Sequence, residues 1–409
     1  MTGESSGNTL KRFCTRMIKA KAILILTIVT LGLMLWQARL PLWNQHLQVD
    51  IWVWWQRLEF WFRGHTFSGL TGNEILPLTL LYLFIPVLLI PIGWLSYANY
   101  LPVVLILNLA VIGLHLFFVK RKTLFLLSLL FLGPILLFRF DALVTLLLIL
   151  SFVSFQKNRP GWSGFWLGLA TGLKVFPVII LPYLLLILFK QKQLKSLLTL
   201  MIYFAEALLL PVLIFWLLGG NREQIVNALD FHNLKLISIE SLPGSLITGW
   251  SLITRGAPPA LLAGYGIWAV PGPAILFNRL WLLPIGLVYY FIWKNRPRRF
   301  DWSTPLVLIL VFLVFSKNLN PQYVWWFMAL LPFVKAGRLI WILTLVVALL
   351  NQLVYPIFYT TLIEEFYQKN QSYWIYYLLL LRNLGILAIT FILFHSRTGL
   401  LLTDKGNKH

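Results

Sequence analysis

Residues 162–189 read WSGFWLGLATGLKVFPVIILPYLLLILF, an apolar run longer than the ~20 residues that carry a helix across a bilayer, with Lys174 its one charge. A run of this length cannot be covered by the polar surface of a soluble domain, and Pro177 offers a point at which it kinks or doubles back. Outward from it, comparable segments fall at 22–38, 75–95, 101–119, 124–138, 142–155, 196–218, 274–293, 304–315, 323–334, 339–359 and 376–394. Together they make about twelve candidate spans. None alternates polar and apolar residues as barrel strands do, so the expected fold class is an all-α polytopic membrane protein. Composition agrees: 59% of the 409 residues are hydrophobic and 11% charged, against roughly 25% charged in a soluble domain.

Orientation follows from Lys and Arg, which in short loops stay on the cytoplasmic side. Lys11, Arg12, Arg16, Lys19 and Lys21 precede the first span. Lys190, Lys192 and Lys195, then Lys294, Arg296, Arg298 and Arg299, then Lys335 and Arg338 fall on the same side by strict alternation. The longer loops 40–74, 219–272, 316–322 and 360–373 then share the opposite face. One stretch conflicts, because alternation sends Lys120, Arg121, Lys122, Lys157 and Arg159 outside and Arg139 to Asp141 inside. A re-entrant hairpin around Lys174 and Pro177, with one fewer crossing upstream, would reverse those assignments. The chain divides into a basic cytoplasmic N-terminus (1–21), one transmembrane domain (22–394) and a cytoplasmic tail (395–409). The first span follows a long basic region without a small-residue cleavage site and reads as a retained anchor.

The net charge of +21 sits in loop clusters and not along one stripe, which points to anionic lipid head groups and away from nucleic acid. The lone Cys14 excludes an internal disulfide or a cysteine metal cluster. No phosphate-loop, dinucleotide or HExxH motif occurs, so an ATP-driven pump and zinc chemistry lack support.

The thirteen acids are more informative, since each one near hydrocarbon is costly unless used or paired. Asp50, Glu59 and Glu74 lie in the first outer loop, Glu223, Asp230 and Glu240 in the central one, and Asp141 and Glu206 among apolar residues. In 48–67, QVDIWVWWQRLEFWFRGHTF, the residues Asp50, Trp54, Arg57 and Trp61 share one helical face. This is an interfacial helix, either an aromatic belt with solvated charges or a carboxylate, cation and aromatic platform for a sugar or phosphate. Lys174 either snorkels to the head groups or binds a lipid-linked phosphate. FSKNLNPQYVWWF (315–327) sets Lys317, Asn320, Gln322 and Tyr323 between two spans, and DFHNLKLISIESLPGSL (230–246) brings His232, Lys235 and Glu240 into the central loop.

Taken together these segments resemble the GT-C superfamily of membrane glycosyltransferases, and within it family 87, the polyprenyl-phosphate-mannose-dependent mannosyltransferases. Asp50, Gly64 and Pro77 match the family's opening, with Leu76 and Pro77 where relatives carry YPP. Arg139, Phe140 and Asp141 match an RFDAL segment, and 168–177, with Lys174, a GLALALKVYP-like one. FHNLKLISIESL (231–242) aligns without a gap to YHLDRGLQIESL; His232, Glu240 and Ser241 agree, while Leu234, Lys235 and Ser238 replace the family's Asp, Arg and Gln. Asn320 to Tyr323 stand for SPQY, and Leu381, Arg382 and Asn383 for LVRN.

The resemblance implies a GT-C fold and transfer of a hexose, mannose by family expectation, from a polyprenyl-phosphate-sugar donor to a lipid-linked or membrane-proximal acceptor. Transfer is expected with inversion, on the non-cytoplasmic face of a bacterial plasma membrane, with no cofactor and no obligatory metal. Asp50 is then the general base, and His232 bridges donor and acceptor. Lys174 and Lys317, with Lys235, hold the donor phosphate; Trp54 and Tyr323 stack on sugar; Arg57, Arg139, Asp141, Glu240 and Gln322 complete the substrate site. A transporter or flippase of a lipid-linked sugar, or a glycan polymerase or ligase of the same fold, is the competing reading.

Overall fold

The computed structural model describes residues 4–62, 76–264, 267–295, 297–367 and 372–403. Helix α1 (Glu4–Ala38) turns at Leu40 into α2 (Pro41–Leu47) and α3 (Val49–Phe62). Helix α3 buries Ile51, Trp54, Trp55 and Leu58, which recur at helical spacing, and leaves Val49 and Trp52 exposed. Of the face read from the sequence, Asp50, Trp54, Arg57 and Trp61, only Trp54 is on the buried side; Asp50 and Arg57 are half-buried and the Trp61 side chain lies outside the described residues.

The segment 75–95, expected to span, starts and finishes at the same end of the structure. Helix α4 (Pro77–Leu88) is 12 residues long, or about 18 Å. The helix runs through Pro86 and ends at Leu88, and Pro91, which has no N–H to donate, precedes a short 3-10 turn (Ile92–Trp94). Leu76, before its first turn, lines the same cavity as Asp50. Beyond it, at the start of α5 (Tyr97–Phe118), the Tyr97 hydroxyl donates to Gln48 Oε1 at 3.1 Å and its ring meets Trp52 edge-on at 4.8 Å. The chain dips in and returns to the end it left.

The run 162–189, by contrast, is two antiparallel arms. Helix α6 (Lys122–Leu132) and a 3-10 turn (Pro134–Phe138) lead to α7 (Asp141–Gln156) and α8 (Pro160–Leu173). Chain direction reverses at Lys174, and a 3-10 turn (Phe176–Ile180) runs into α9 (Leu181–Lys190) before α10 (Leu194–Leu217). Compared with strict alternation, the chain makes one end-to-end passage fewer at 75–95 and one more here, which swaps the end reached by everything between. Arg139 and Asp141 thereby join the end that carries Asp50. The basic turns gather at the other end: Arg121 Nη1 donates to the Ala336 carbonyl at 3.5 Å, Trp302 stacks on Phe333 at 4.2 Å, Phe300 packs on Phe155 at 5.9 Å and Gln191 Nε2 donates to the Arg298 carbonyl.

Helices α8 and α10 are in backbone contact. A Cβ on Gly164 would stand 2.1 Å from the Leu200 carbonyl oxygen, and one on Gly168 2.5 Å from that of Phe204. Gly164, Gly168 and Gly172 thus form a small-residue seam of the kind that lets membrane helices approach closely.

After α10 come α11 (Arg222–Leu234), opened by a reciprocal Asn221–Gln224 cap, β1 (Ile237–Ser238), α12 (Leu242–Arg255) capped by Ser241, β2 (Leu262–Gly264) and β3 (Ile267–Val270). The strands pair antiparallel in the order β1-β3-β2, with Ile237 opposite Val270 and Leu262 opposite Ala269. This small sheet, unanticipated in an all-α chain, covers a second apolar cluster around Ile239, Leu362, Ile375 and Leu379. The remaining elements are α13 (Ala274–Leu280), α14 (Leu282–Asn295), α15 (Ser303–Phe315), α16 (Val324–Met328), α17 (Arg338–Gln352), α18 (Tyr359–Tyr367) and α19 (Trp374–Thr403). Among the described residues six helical stretches are long and apolar enough to cross a membrane: Ala20–Ala38, Tyr97–Phe118, Leu194–Leu217, Leu276–Asn295, Arg338–Ile357 and Trp374–Ser396. Between them α15 and α16 form a centre that is buried on nearly every side.

Candidate active site

Asp50 stands in the first turn of α3, and Arg139 in the extended residue that ends the turn before α7. Arg139 Nε lies 2.9 Å from Asp50 Oδ2, an ion pair without the alignment of a hydrogen bond. The arginine is buried, while the Asp50 side chain is 43% exposed. Arg139 Nη1 donates to the carbonyls of Leu47 (3.0 Å) and Phe138 (2.9 Å), and Nη2 reaches the Tyr355 hydroxyl at 3.4 Å. Tyr355 comes within reach because the helical path breaks at it (φ −141°, ψ 121°), and its hydroxyl donates to the His46 carbonyl at 2.8 Å. One guanidinium thus fixes α2 to the bundle and presents the Asp50 carboxylate to solvent.

The second acid opens α7. Lys174 Nζ lies 2.7 Å from Asp141 Oδ1, and Trp326 Nε1 donates to the same oxygen at 2.6 Å. Asp141 Oδ2 is buried without a partner. The ammonium is hemmed by the rings of Tyr323 (4.6 Å), Phe140 (5.1 Å) and Trp326 (5.2 Å), at cation–π distance. Trp326 is itself stacked between Phe176 at 3.6 Å and Tyr323 at 4.1 Å. Lys174 is therefore not an unpaired cation, and Arg139 and Asp141 pair with other residues and not with each other.

The third group joins two loops. Lys317 Nζ donates to the carbonyls of Asn233 (2.9 Å) and Lys235, and Ser238 N donates back to the Lys317 carbonyl at 2.9 Å. Burial, with the Lys235 charge behind it, pushes Lys317 down to about 8. Among the described residues no carboxylate is paired with it. Nearby, Asn318 Oδ1 and Asn320 Oδ1 are buried acceptors without partners.

Behind these loops Arg382, fully buried in α19, acts as a bracket. It donates to Asn351 Oδ1 at 3.0 Å and to the Glu240 carbonyl, while Asn383 Nδ2 donates to that carbonyl at 3.2 Å and to Ser245 Oγ at 2.6 Å. Asn351 Nδ2 in turn donates to the Pro321 carbonyl at 3.2 Å. The Glu240 carboxyl is buried with Oε1 unpartnered, and burial raises it to about 7 against the pull of Arg382 and Arg139.

The three groups surround one cavity of about 470 Å³. Asp50, Trp54, Arg139, Asp141, Lys174, Lys235, Lys317, Gln322 and Tyr323 all line it, although they come from five separate stretches of chain. One side of the wall is apolar, with Val178, Ile179, Phe277, Trp281 and Phe312, while Thr79, Asn233, Asn278, Ser316, Asn318 and Asn320 add polar groups elsewhere. Arg57 and Glu240 are not among the lining residues. The side chains of His232 and Trp61, and Gly64, fall outside the described residues. Among the described residues no three His, Cys, Asp or Glu side chains gather as metal donors. Asn320 belongs to the polar run already singled out in the sequence, whereas Trp326 and Asn318 are not marked there, because an aromatic or amide beside an apolar run carries little contrast of its own.

Fold and cavity define a polytopic, mainly helical membrane protein with a charged cleft at one end. The chain matches Glycosyltransferase family 87 over residues 77–316, more than half of its length, and belongs to that family. It is a membrane glycosyltransferase. The matched stretch contains Arg139, Asp141, Lys174, Lys235 and Glu240, while Asp50, Lys317, Gln322 and Tyr323 lie outside it. No curated protein matches the chain.

Proposed function

We propose that the enzyme transfers a hexose, mannose by family expectation, from a polyprenyl-phosphate carrier to a hydroxyl of a lipid-linked or membrane-proximal acceptor. The observation that carries this reading is the division of one cavity into an exposed carboxylate, Asp50, a pair of cations, Lys235 and Lys317, and an apolar wall. An acceptor hydroxyl at Asp50 gives its proton to the carboxylate as its oxygen attacks the anomeric carbon. The bond from that carbon to the phosphate oxygen breaks on the opposite face, so the product is inverted. The departing polyprenyl phosphate carries the negative charge, which Lys317 and Lys235 meet. Lys174 contributes to that field only through what Asp141 leaves of its charge.

The apolar wall suits the polyprenyl chain, and the partnerless oxygens of Asn318 and Asn320 suit sugar hydroxyls. Twelve crossings follow if α1, α5, α6, α7, α8, α9, α10, α14, α15, α16, α17 and α19 each traverse the membrane, the shorter ones extended by their 3-10 turns. The basic end is then cytoplasmic and the cavity faces the other side.

The test is transfer from radiolabelled polyprenyl-phosphate-mannose to extractable lipid by purified protein in host membranes, wild type against Asp50→Asn at matched folding. Labelled glycolipid from wild type only is the expected result. Equal transfer by the variant removes Asp50 as base; a variant that still moves lipid-linked sugar across the membrane, with no transfer by either, would favour the transporter.

A further inference from the structure

At the other end of the bundle the turns after α7 and α9 and the segment before α15 border a second cavity of about 490 Å³, open to the surface, at which Gln156, Asn158, Gln193 and Arg299 are exposed. Its polar lining is rich in hydrogen-bond donors: the Arg299 guanidinium and the side-chain amides of Gln156, Asn158 and Gln193. None of those three amides has a hydrogen-bond partner among the described residues, and no carboxylate lines the cavity. Its floor is Phe155 and Phe300, packed on each other at 5.9 Å.

Two features fix what such a cavity selects. The first is charge: Lys157, Arg159, Lys192, Lys195 and Arg298 are exposed in the same turns, so an anion is drawn in and a cation repelled. The second is depth. Lys190 Nζ stands 3.9 Å from the centre of the Trp293 ring, and both flank helices that end here, which is how tryptophan and lysine mark the head-group level of a bilayer. Convergent N–H donors around a guanidinium suit phosphate oxygens, and the aromatic floor suits the glycerol above acyl chains.

We propose that this cavity binds the phosphodiester head group of one anionic phospholipid, held by Arg299 and the amides of Gln156, Asn158 and Gln193. The site is separate from the cavity of Asp50 and uses neither the sugar donor nor the acceptor. Its test is therefore independent of the reaction assigned above.

The full chain in nanodiscs of phosphatidylcholine, with and without phosphatidylglycerol, is released into the gas phase and the retained lipid counted by native mass spectrometry. Wild type should keep one phosphatidylglycerol per chain. Arg299→Gln should weaken retention by about fivefold, the worth of one basic residue near a lipid head group. Gln193→Leu, which leaves net charge unchanged, should weaken it also, and both variants should transfer sugar normally in phosphatidylcholine alone. Arg338→Gln, an equal loss of charge at the same end but outside the cavity, should retain lipid as wild type does. Equal weakening by Arg338→Gln, or no effect of Gln193→Leu, would mean diffuse attraction and overturn the site. Displacement of the lipid by inorganic phosphate, beyond that by chloride at the same ionic strength, would reassign it to a soluble phosphate.

Discussion

Two carboxylate–cation pairs face the same cavity, Asp50 with Arg139 and Asp141 with Lys174, and each closes to within a hydrogen-bond distance, at 2.9 and 2.7 Å. They differ in exposure. The Asp50 side chain is 43% exposed, whereas that of Asp141 is 1% exposed and takes Lys174 and the Trp326 N–H on one oxygen. Asp141 also begins a helix, where the dipole favours an anion. In the first pair the cation is buried and the acid open; in the second the acid is buried deepest. Both acids stand in the first turn of a helix, so it is exposure and not helix position that separates the acid proposed to react from the one held in the wall.

The largest expected effect breaks or keeps that distinction directly. Asp50→Asn should lower kcat by roughly 10²–10⁴-fold, the usual yield of general-base catalysis, in protein whose folding is unchanged. A loss below tenfold would place the base elsewhere. Asp141→Asn should act on stability first, by about 3–5 kcal/mol, because Lys174 is left as a buried charge without its anion. Thermal unfolding in detergent reads this, and Lys174→Met added to Asp141→Asn should recover part of the loss. If Asp141→Asn melts with wild type and only its activity falls, the two acids are alike and the comparison fails.

Lys317 sharpens the contrast from the phosphate side. Lys317→Gln should raise the donor KM by about tenfold, the scale of a charge-assisted hydrogen bond, with a smaller change in kcat. Because Lys317 gives up its proton at about 8, kcat/KM for the donor should fall as pH rises through that value. Lys317→Arg should carry that limb to higher pH, and a profile unmoved by the substitution would assign it to another group.

The smallest effect belongs to Glu240. Its carboxyl is raised to about 7, so the fold favours the neutral form and binds more protons than the unfolded chain between its ordinary value of 4.5 and about 7. Stability is then greatest below that window, declines across it as pH rises, and is level above it. The melting temperature should drop by a few degrees across the window and stay flat in Glu240→Gln. An identical slope in the variant would locate the titrating group outside Glu240.

Much of this arrangement was legible because charges are rare in the chain. Asp50, Arg139, Asp141 and Lys174 could each be singled out, and Pro177 marked where 162–189 doubles back. Their pairing could not be read, since which acid meets which base depends on where α7 and α8 end in space. Hydropathy also reads 75–95 as one continuous segment: it registers Pro91 as apolar, while α4 ends at Leu88 ahead of it. Arg57 shares a helical face with Asp50 but lies seven residues, about 10 Å, farther along α3, away from the cavity. The strands of the outer sheet, two to four residues long, are too short to show alternation.

The glycine seam between α8 and α10 has a mechanical consequence. On the proposed function a sugar donor enters the cavity and its spent carrier leaves it at every turnover, so where the wall is rigid matters. At Gly164 and Gly168 the two backbones already touch, which leaves no slack for sliding or rolling. The pair therefore serves as the stator of the machine, with Lys174 mounted on its rim. The opposite wall is built differently, from side chains and not from touching backbones: Phe277, Trp281 and Phe312 line it, with Trp281 edge-on to Phe312 at 5.3 Å.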